Sequence, residues 1–208
     1  MCGTVHNVPF AIFVNKTSPF NSLQDFISAG RTRTLRGGTT GLASGLWQSM
    51  AVFANEAHID VRPVPGYQSG GAMLVALGAG DFDAMFIPPQ AALALIKRGS
   101  VKALAVAGTA RDSRLPDTPT FAEAGFPQTG DFASVMRTMA APPDTAPHIA
   151  AFHEKAFLAT MKDPQFLEWL KKMSDFVDPL NGKQTIELFK RQDKTIKEVL
   201  PILKQYMK

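Results

Sequence analysis

The sequence is poor in the residues that most often carry chemistry. Cys2 is its only cysteine among 208 residues, which excludes an intrachain disulfide framework and a cysteine-built metal centre. The histidines His6, His58, His148 and His153 are dispersed, and the last two stand on different faces of a helix, so no metal site is expected. No apolar run reaches membrane-spanning length. The opening "MCGTVHNVPFAIFV" has no basic start, long apolar stretch or small-residue cleavage site, so neither an export signal nor an anchor is expected from it. The carboxylates Asp81 and Asp83 flank Phe82 at the mouth of a strand, where aspartate serves in turns and caps. With no nucleophile and base in one signature, neither an enzyme nor a cofactor is expected. The formal net charge of +4 does not imply nucleic acid, because Lys and Arg are scattered. Their densest cluster, "KRQDKTIK", is interrupted by Asp193 and reads as a solvated helix face.

What is present is an alternation of strands and helices. Phe10 to Val14 predicts a buried strand, followed by a helix over Leu23 to Ser28 with Ser22 as N-cap and Gly30 as stop. Strands are expected near Thr32 to Leu35 and at "IDVRPV", "FDAMFIP" and "VKALAVAG", with helices at "LWQSMAVFANEA", "AMLVALGAG" and "PQAALALIKRG" between them. This order predicts an α/β fold with a mostly parallel sheet and helices on its faces. "TARDSRLPDTPTFAEAGFPQTGD" reads as a surface excursion around a short helix at Thr120 to Ala124, and "SVMRTMAAP" as one more strand. Beyond it, His148 to Met161, Pro164 to Met173 and Thr185 to Lys204 are amphipathic helices. Their Phe152, Phe157, Phe166, Trp169, Leu170, Phe189, Ile196 and Leu203 need an apolar surface that one α/β lobe does not obviously supply.

Two loops stand where an open α/β sheet binds ligands, at strand carboxyl ends and helix N-termini. In "RGGTTGLASG" there is no lysine for a phosphate loop and the glycines are not spaced as G-x-G-x-x-G. Ala43 occupies the place a nucleophilic serine would need. Two readings remain: a hydroxyl- and amide-rich helix entrance suited to a small anion, or a tight turn capped by Ser44. The second loop, "PGYQSGGAM", offers Tyr67 and two glycines, and is equally open to a plain turn-and-cap reading.

"PDTPTFAEAGFP", Pro116 to Pro127, resembles the "LPDVPTVAEAGLPG" signature of the Bug or TctC family, the extracytoplasmic solute receptors of tripartite tricarboxylate transporters. "VPFAIFVNKTSPFNSLQDFI", "GDFDAMFIPPQAALALIKRGSVKALAVAG" and "AAPPDTA" are similar to further family segments, so the resemblance covers almost the whole chain. It implies a type II periplasmic-binding-protein fold and non-catalytic capture of a small carboxylate for membrane transporter subunits, in the periplasm. An effector-sensing module of a regulatory system, or an enzyme on the same lobe, are the alternatives. Met1 falls where the family's first lobe is nearly finished, which implies an N-terminally truncated member. Residues 15–130 would then be a complete ligand-binding lobe, and residues 1–14 and 131–208 a remnant of the other. In the family the C-terminal helices cover that other lobe; here they would pair with one another, with a second copy as a homodimer, or with a separate segment. A chain holding half a cleft would bind weakly alone, because a cleft ligand needs burial on both sides.

The resemblance places the family's first ligand loop on Thr39 to Trp47, implying contacts from Thr40, Gly41, Ser44 and Gly45. It places the second on Tyr67 to Met73, implying contacts from Tyr67, Ser69, Gly70 and Gly71. Departures from the family pattern are Trp47 for a histidine, Ala72 for a proline, Ile87-Pro88 for Asp-Asn, and Met136-Arg137-Thr138 on the return strand. Arg137 is either a bidentate clamp for an anionic ligand or an outward surface charge.

Overall fold

The computed structural model describes residues 2–173 and 175–206. Its elements run β1 (Gly3–Pro9), β2 (Ala11–Asn15), α1 (Leu23–Gly30), β3 (Leu35–Gly38), α2 (Gly45–Glu56), β4 (Val61–Val64), α3 (Gly70–Ala79), β5 (Ala84–Ile87) and α4 (Pro89–Lys97). They continue as β6 (Val101–Val106), α5 (Pro127–Phe132), β7 (Ser134–Met139), α6 (Pro147–Thr160), α7 (Pro164–Lys172), β8 (Leu180–Asn181) and α8 (Gly182–Tyr206). Two compact units divide them. Pro9–Ser134 and the chain from Ile196 onward form the larger, and the residues up to Val8 with Val135–Thr195 form the smaller.

In the larger unit, a five-stranded sheet runs in the order β4-β3-β5-β2-β6. β3 pairs parallel with β4 and β5, whereas β2 pairs antiparallel with both β5 and β6. Four strands therefore share a direction and β2 opposes them, so the expectation of a mostly parallel sheet holds with one reversal. α1 links β2 to β3, but the two are not neighbours in the sheet, and β2 meets only β5 and β6, both antiparallel. It is nonetheless an interior strand, and its alternation serves both faces: Ile12 and Val14 enter one apolar cluster, Ala11 and Phe13 the other. On the first face Phe53 of α2 packs against Phe26, Phe121 and Phe126, with ring centroids 6.3, 5.3 and 5.5 Å away.

Local chemistry sets the helix starts. Ser22 accepts from the Asp25 N–H at 3.1 Å while the Asp25 carboxylate accepts from Ser22 N–H at 3.0 Å, a capping box that begins α1. Two sequence expectations are corrected. The strand expected from Thr32 starts at Leu35, because Thr32 and Arg33 N–H groups both donate back to Ala29 and prolong the end of α1. Thr120 to Ala124 is a turn rather than a helix: Thr120 bridges to Val106, Gly125 follows at φ +91°, and the helix comes after it as α5. The end of α8 packs in the larger unit. Val199 and Leu203 are buried against Ala51 and Val52 of α2.

The smaller unit carries a three-stranded sheet ordered β7-β1-β8, with Gly3 opposite Asn181 and Thr4 opposite Leu180. Neither β1 nor the two-residue β8 was expected from the sequence. The buried Thr4 hydroxyl lies 3.2 Å from that of Thr138 and 3.1 Å from that of Thr185, which satisfies it away from water. Of the helix residues expected to need cover, Phe157 and Leu170 find it here and Leu203 finds it in the larger unit. Phe152, Trp169, Phe189 and Ile196 stay exposed, the first two at 67% and 54%. No described helix is long and apolar enough to cross a membrane.

Candidate functional site

The loops after β3 and β4 leave the carboxyl ends of neighbouring parallel strands, tied by the Thr39 N–H donating to Val64 at 3.1 Å. They converge. Gly70, at the start of α3, sits so close to Ile87 at the end of β5 that a Cβ there would stand 2.6 Å from the Ile87 Cδ1. Since β3 lies between β4 and β5, the second loop crosses above the end of β3, where the first loop begins.

The first loop is built by Thr39, a residue the sequence reading did not single out as a contact. Its buried hydroxyl donates to the Gly41 carbonyl at 2.9 Å and accepts from the Gly41 N–H at 3.2 Å. The Ser44 hydroxyl stands 2.9 Å from the Thr39 hydroxyl and accepts from the Trp47 N–H at 3.3 Å, so it is the N-cap of α2. The proton accounting follows. Thr39 spends its hydroxyl hydrogen on Gly41, so the Ser44 hydrogen goes to Thr39, and the Ser44 N–H is spent on the Gly41 carbonyl at 3.0 Å. Gly41 and Ser44 therefore shape the loop. The donors facing outward are the exposed Thr40 and the N–H groups of Gly45 and Leu46, which as first-turn groups have no intrahelical acceptor.

The second loop repeats the design. Ser69 caps α3 by accepting from the Ala72 N–H at 3.2 Å, which leaves its own hydroxyl hydrogen to donate. The first-turn N–H groups of Gly70 and Gly71 have no intrahelical acceptor either. The glycines divide by their surroundings. A Cβ at Gly41 would meet nothing within 4 Å and one at Gly45 or Gly71 only ordinary contacts; one at Gly70 would displace the tip of the Ile87 side chain, and one at Gly38 would run into the Phe82 ring. Tyr67 turns its ring onto Phe82, edge to face at 5.4 Å. Burial raises the Tyr67 phenol above its usual value, and Asp81 adds to the rise.

Arg137 lies in the smaller unit, on the exposed face of β7. Its guanidinium donates to Asp175 at 2.6 Å, and the other Asp175 oxygen lies 3.7 Å from His6 Nε2. Trp47, which stands where the family pattern has a histidine, is buried at 1% exposure and packs in the core. Among the described residues no three His, Cys, Asp or Glu side chains group as metal ligands.

The model of the tripartite tricarboxylate transporter family receptor, TctC, matches residues 2–205. The chain belongs to the TctC receptor family. A UPF0065 protein of Bordetella pertussis is 26% identical to this TctC member over 179 residues, 85% of this chain and 54% of that protein. The chain thus spans about half the length of that curated relative. A TctC solute-binding protein from Polaromonas superposes with a TM-score of 0.79 at 19% identity, over 96% of this chain and 68% of its own. MatC from Rhodopseudomonas palustris, with bound malate, superposes at 0.78 and 23% identity over 97% and 68%. An R. palustris protein with adipate superposes at 0.78 and 24% identity over 98% and 67%. These likenesses give the TctC chain its fold, the α/β periplasmic-binding-protein type; the family and fold are those of solute-binding receptors, not enzymes.

Proposed function

We propose that this chain captures a small dicarboxylate, without catalysis, as the periplasmic receptor of a tripartite transporter, and that its larger unit is one wall of the receptor cleft. The observation that carries this reading is the convergence of two serine-capped, glycine-opened helix N-termini, those of α2 and α3, at one edge of the sheet. Each presents unspent N–H groups and the positive end of a helix dipole, which favours a carboxylate by about 0.3–1 kcal/mol per terminus. Charge-assisted hydrogen bonds from Thr40, Gly45, Leu46, Ser69, Gly70 and Gly71 add to that. The malate- and adipate-bound relatives support the ligand class. Arg137, already engaged by Asp175, is left out of the wall.

The test is an NMR titration of the chain with malate and with adipate at millimolar concentration. The amides of Gly45, Leu46, Gly70 and Gly71 are expected to shift together along one binding curve. Shifts confined to other surfaces, or none with either acid, would sink the reading.

A further inference from the structure

The last turn of α8 reaches the first turn of α2 inside the larger unit. Trp47 is the third residue of α2, and its indole Nε1 donates to the Tyr206 carbonyl at 3.1 Å while the two rings meet edge to face at 6.3 Å. Val199 and Leu203, on the same face of α8, are buried against Ala51 and Val52 one turn further along α2. The other side of the indole is pressed on β3, where a Cβ at Gly37 would stand 3.0 Å from the Trp47 Cζ3. The Trp47 backbone N–H is the donor to the Ser44 hydroxyl, which in turn meets Thr39. One residue therefore joins the end of the chain, the strand before the glycine loop, and the cap that shapes the loop.

We propose that Trp47 is a positioning residue for the carboxylate loop and that the carboxyl-terminal turn of α8, through the Tyr206 carbonyl, holds it in place. The ligand consequence rests on the functional reading above; the mechanical link to the loop does not. A buried indole N–H without its acceptor would leave an unsatisfied donor beside the core, so loss of the Tyr206 carbonyl favours a shift of Trp47. Any shift of Trp47 moves the N–H to which Ser44 is bonded. The Ser44–Thr39–Gly41 network then loosens, and the Gly45 and Leu46 N–H groups lose their fixed direction.

The test compares four chains: wild type, Trp47→Phe, a chain ending at Gln205, and the two changes combined. Trp47→Phe keeps a ring and removes the N–H; the shortened chain keeps the indole and removes its acceptor, so it still decides the matter if Trp47→Phe fails to fold. Amide hydrogen exchange is read at Gly41, Ser44 and Trp47, with Ala72 and Met73 of α3 as internal reference. Each single change is expected to speed exchange at the first three by roughly tenfold, the worth of one hydrogen bond, and to leave the reference amides unchanged. The combined chain is expected to add nothing further, since both changes break one link. Binding of malate or adipate should weaken by a similar or smaller factor in all three altered chains. Unchanged exchange in the loop, equal acceleration throughout the larger unit, multiplied effects in the combined chain, or loosened loops with unchanged affinity would each overturn the proposal. If wild type binds neither acid, the functional reading falls, and the exchange data still decide whether Tyr206 holds the loop.

Discussion

The two units solve the burial problem to different extents. The larger one covers both faces of its sheet, and the three clusters of buried apolar residues found among the described residues all lie within it. The smaller one has a three-stranded sheet, one strand of which is two residues long, and leaves Phe152, Trp169, Met173 and Phe176 exposed on or beside its helices. Sheet area is the difference. A helix can hide its apolar stripe only against a surface of matching extent, and two full strands with a two-residue third do not provide one for α6, α7 and the start of α8. Stability is thus expected to reside in the larger unit, and surface-driven behaviour in the smaller.

Substitution of one aromatic residue in each unit would break this comparison most sharply. Phe53 is fully buried and stands among four other phenylalanine rings, so Phe53→Ala should lower unfolding stability by about 3–5 kcal/mol. Trp169→Ala removes a larger side chain that is 54% exposed and stacks on Phe166, and should lower stability by about 1–2 kcal/mol, well below the loss at Phe53. Urea unfolding of both variants decides it. Equal losses would mean that the smaller unit has a core as demanding as the larger.

Acid should act first on the larger unit. Burial pushes the Asp83 carboxyl up, but hydrogen bonds from the Arg33 side chain and the Arg36 N–H, with both guanidinium charges, outweigh it and hold the group below its ordinary range. Asp112 is held low against burial in the same way by Arg114. A carboxyl whose folded pKa lies below its unfolded value of about 3.9 contributes stability that is present above that value and lost as pH falls through the folded one. The melting temperature should therefore stay level from neutral pH to about pH 5 and decline below about pH 4. Asp83→Asn should lower the plateau and shallow the decline. A variant declining as steeply as wild type would remove Asp83 from this account.

How much was legible beforehand follows the same division. Each helix of the larger unit that opens with a serine cap, α1, α2 and α3, was expected within a few residues, because Ser22, Ser44 and Ser69 compete locally for N–H groups whatever the tertiary context. The two candidate loops were visible for that reason. Their internal accounting was not: nothing in "GGTTGLASG" says that Thr39 turns inward and Thr40 outward, since that depends on the last pair of the β3–β4 ladder. The reversed β2 was equally hidden, because periodicity marks a strand as buried but carries no direction. β1 and β8 escaped notice as a pair. Two residues of β8 have no pattern to read, and β1, "GTVHNVP", gains its identity from partners more than a hundred residues away. The role of Trp47 was missed because its partner Tyr206 lies 159 positions along the chain.

A modest expected effect on folding is the most informative about the smaller unit. Phe152 and Trp169 are exposed at 67% and 54%, so replacing both with lysine removes only partly buried surface and should lower the melting temperature by only a few degrees. What should change is behaviour at high concentration. Exposed aromatic and aliphatic groups on α6, α7 and α8 favour self-association, and two added charges oppose it by repulsion and by the cost of desolvating them at a contact. Sedimentation velocity across a concentration series is expected to show wild type forming larger species and the Phe152→Lys, Trp169→Lys chain remaining the smaller one. If both sediment alike at every concentration, these exposed residues do not drive association, and the open face of the smaller unit is merely tolerated by solvent, as scattered apolar side chains on a folded surface commonly are.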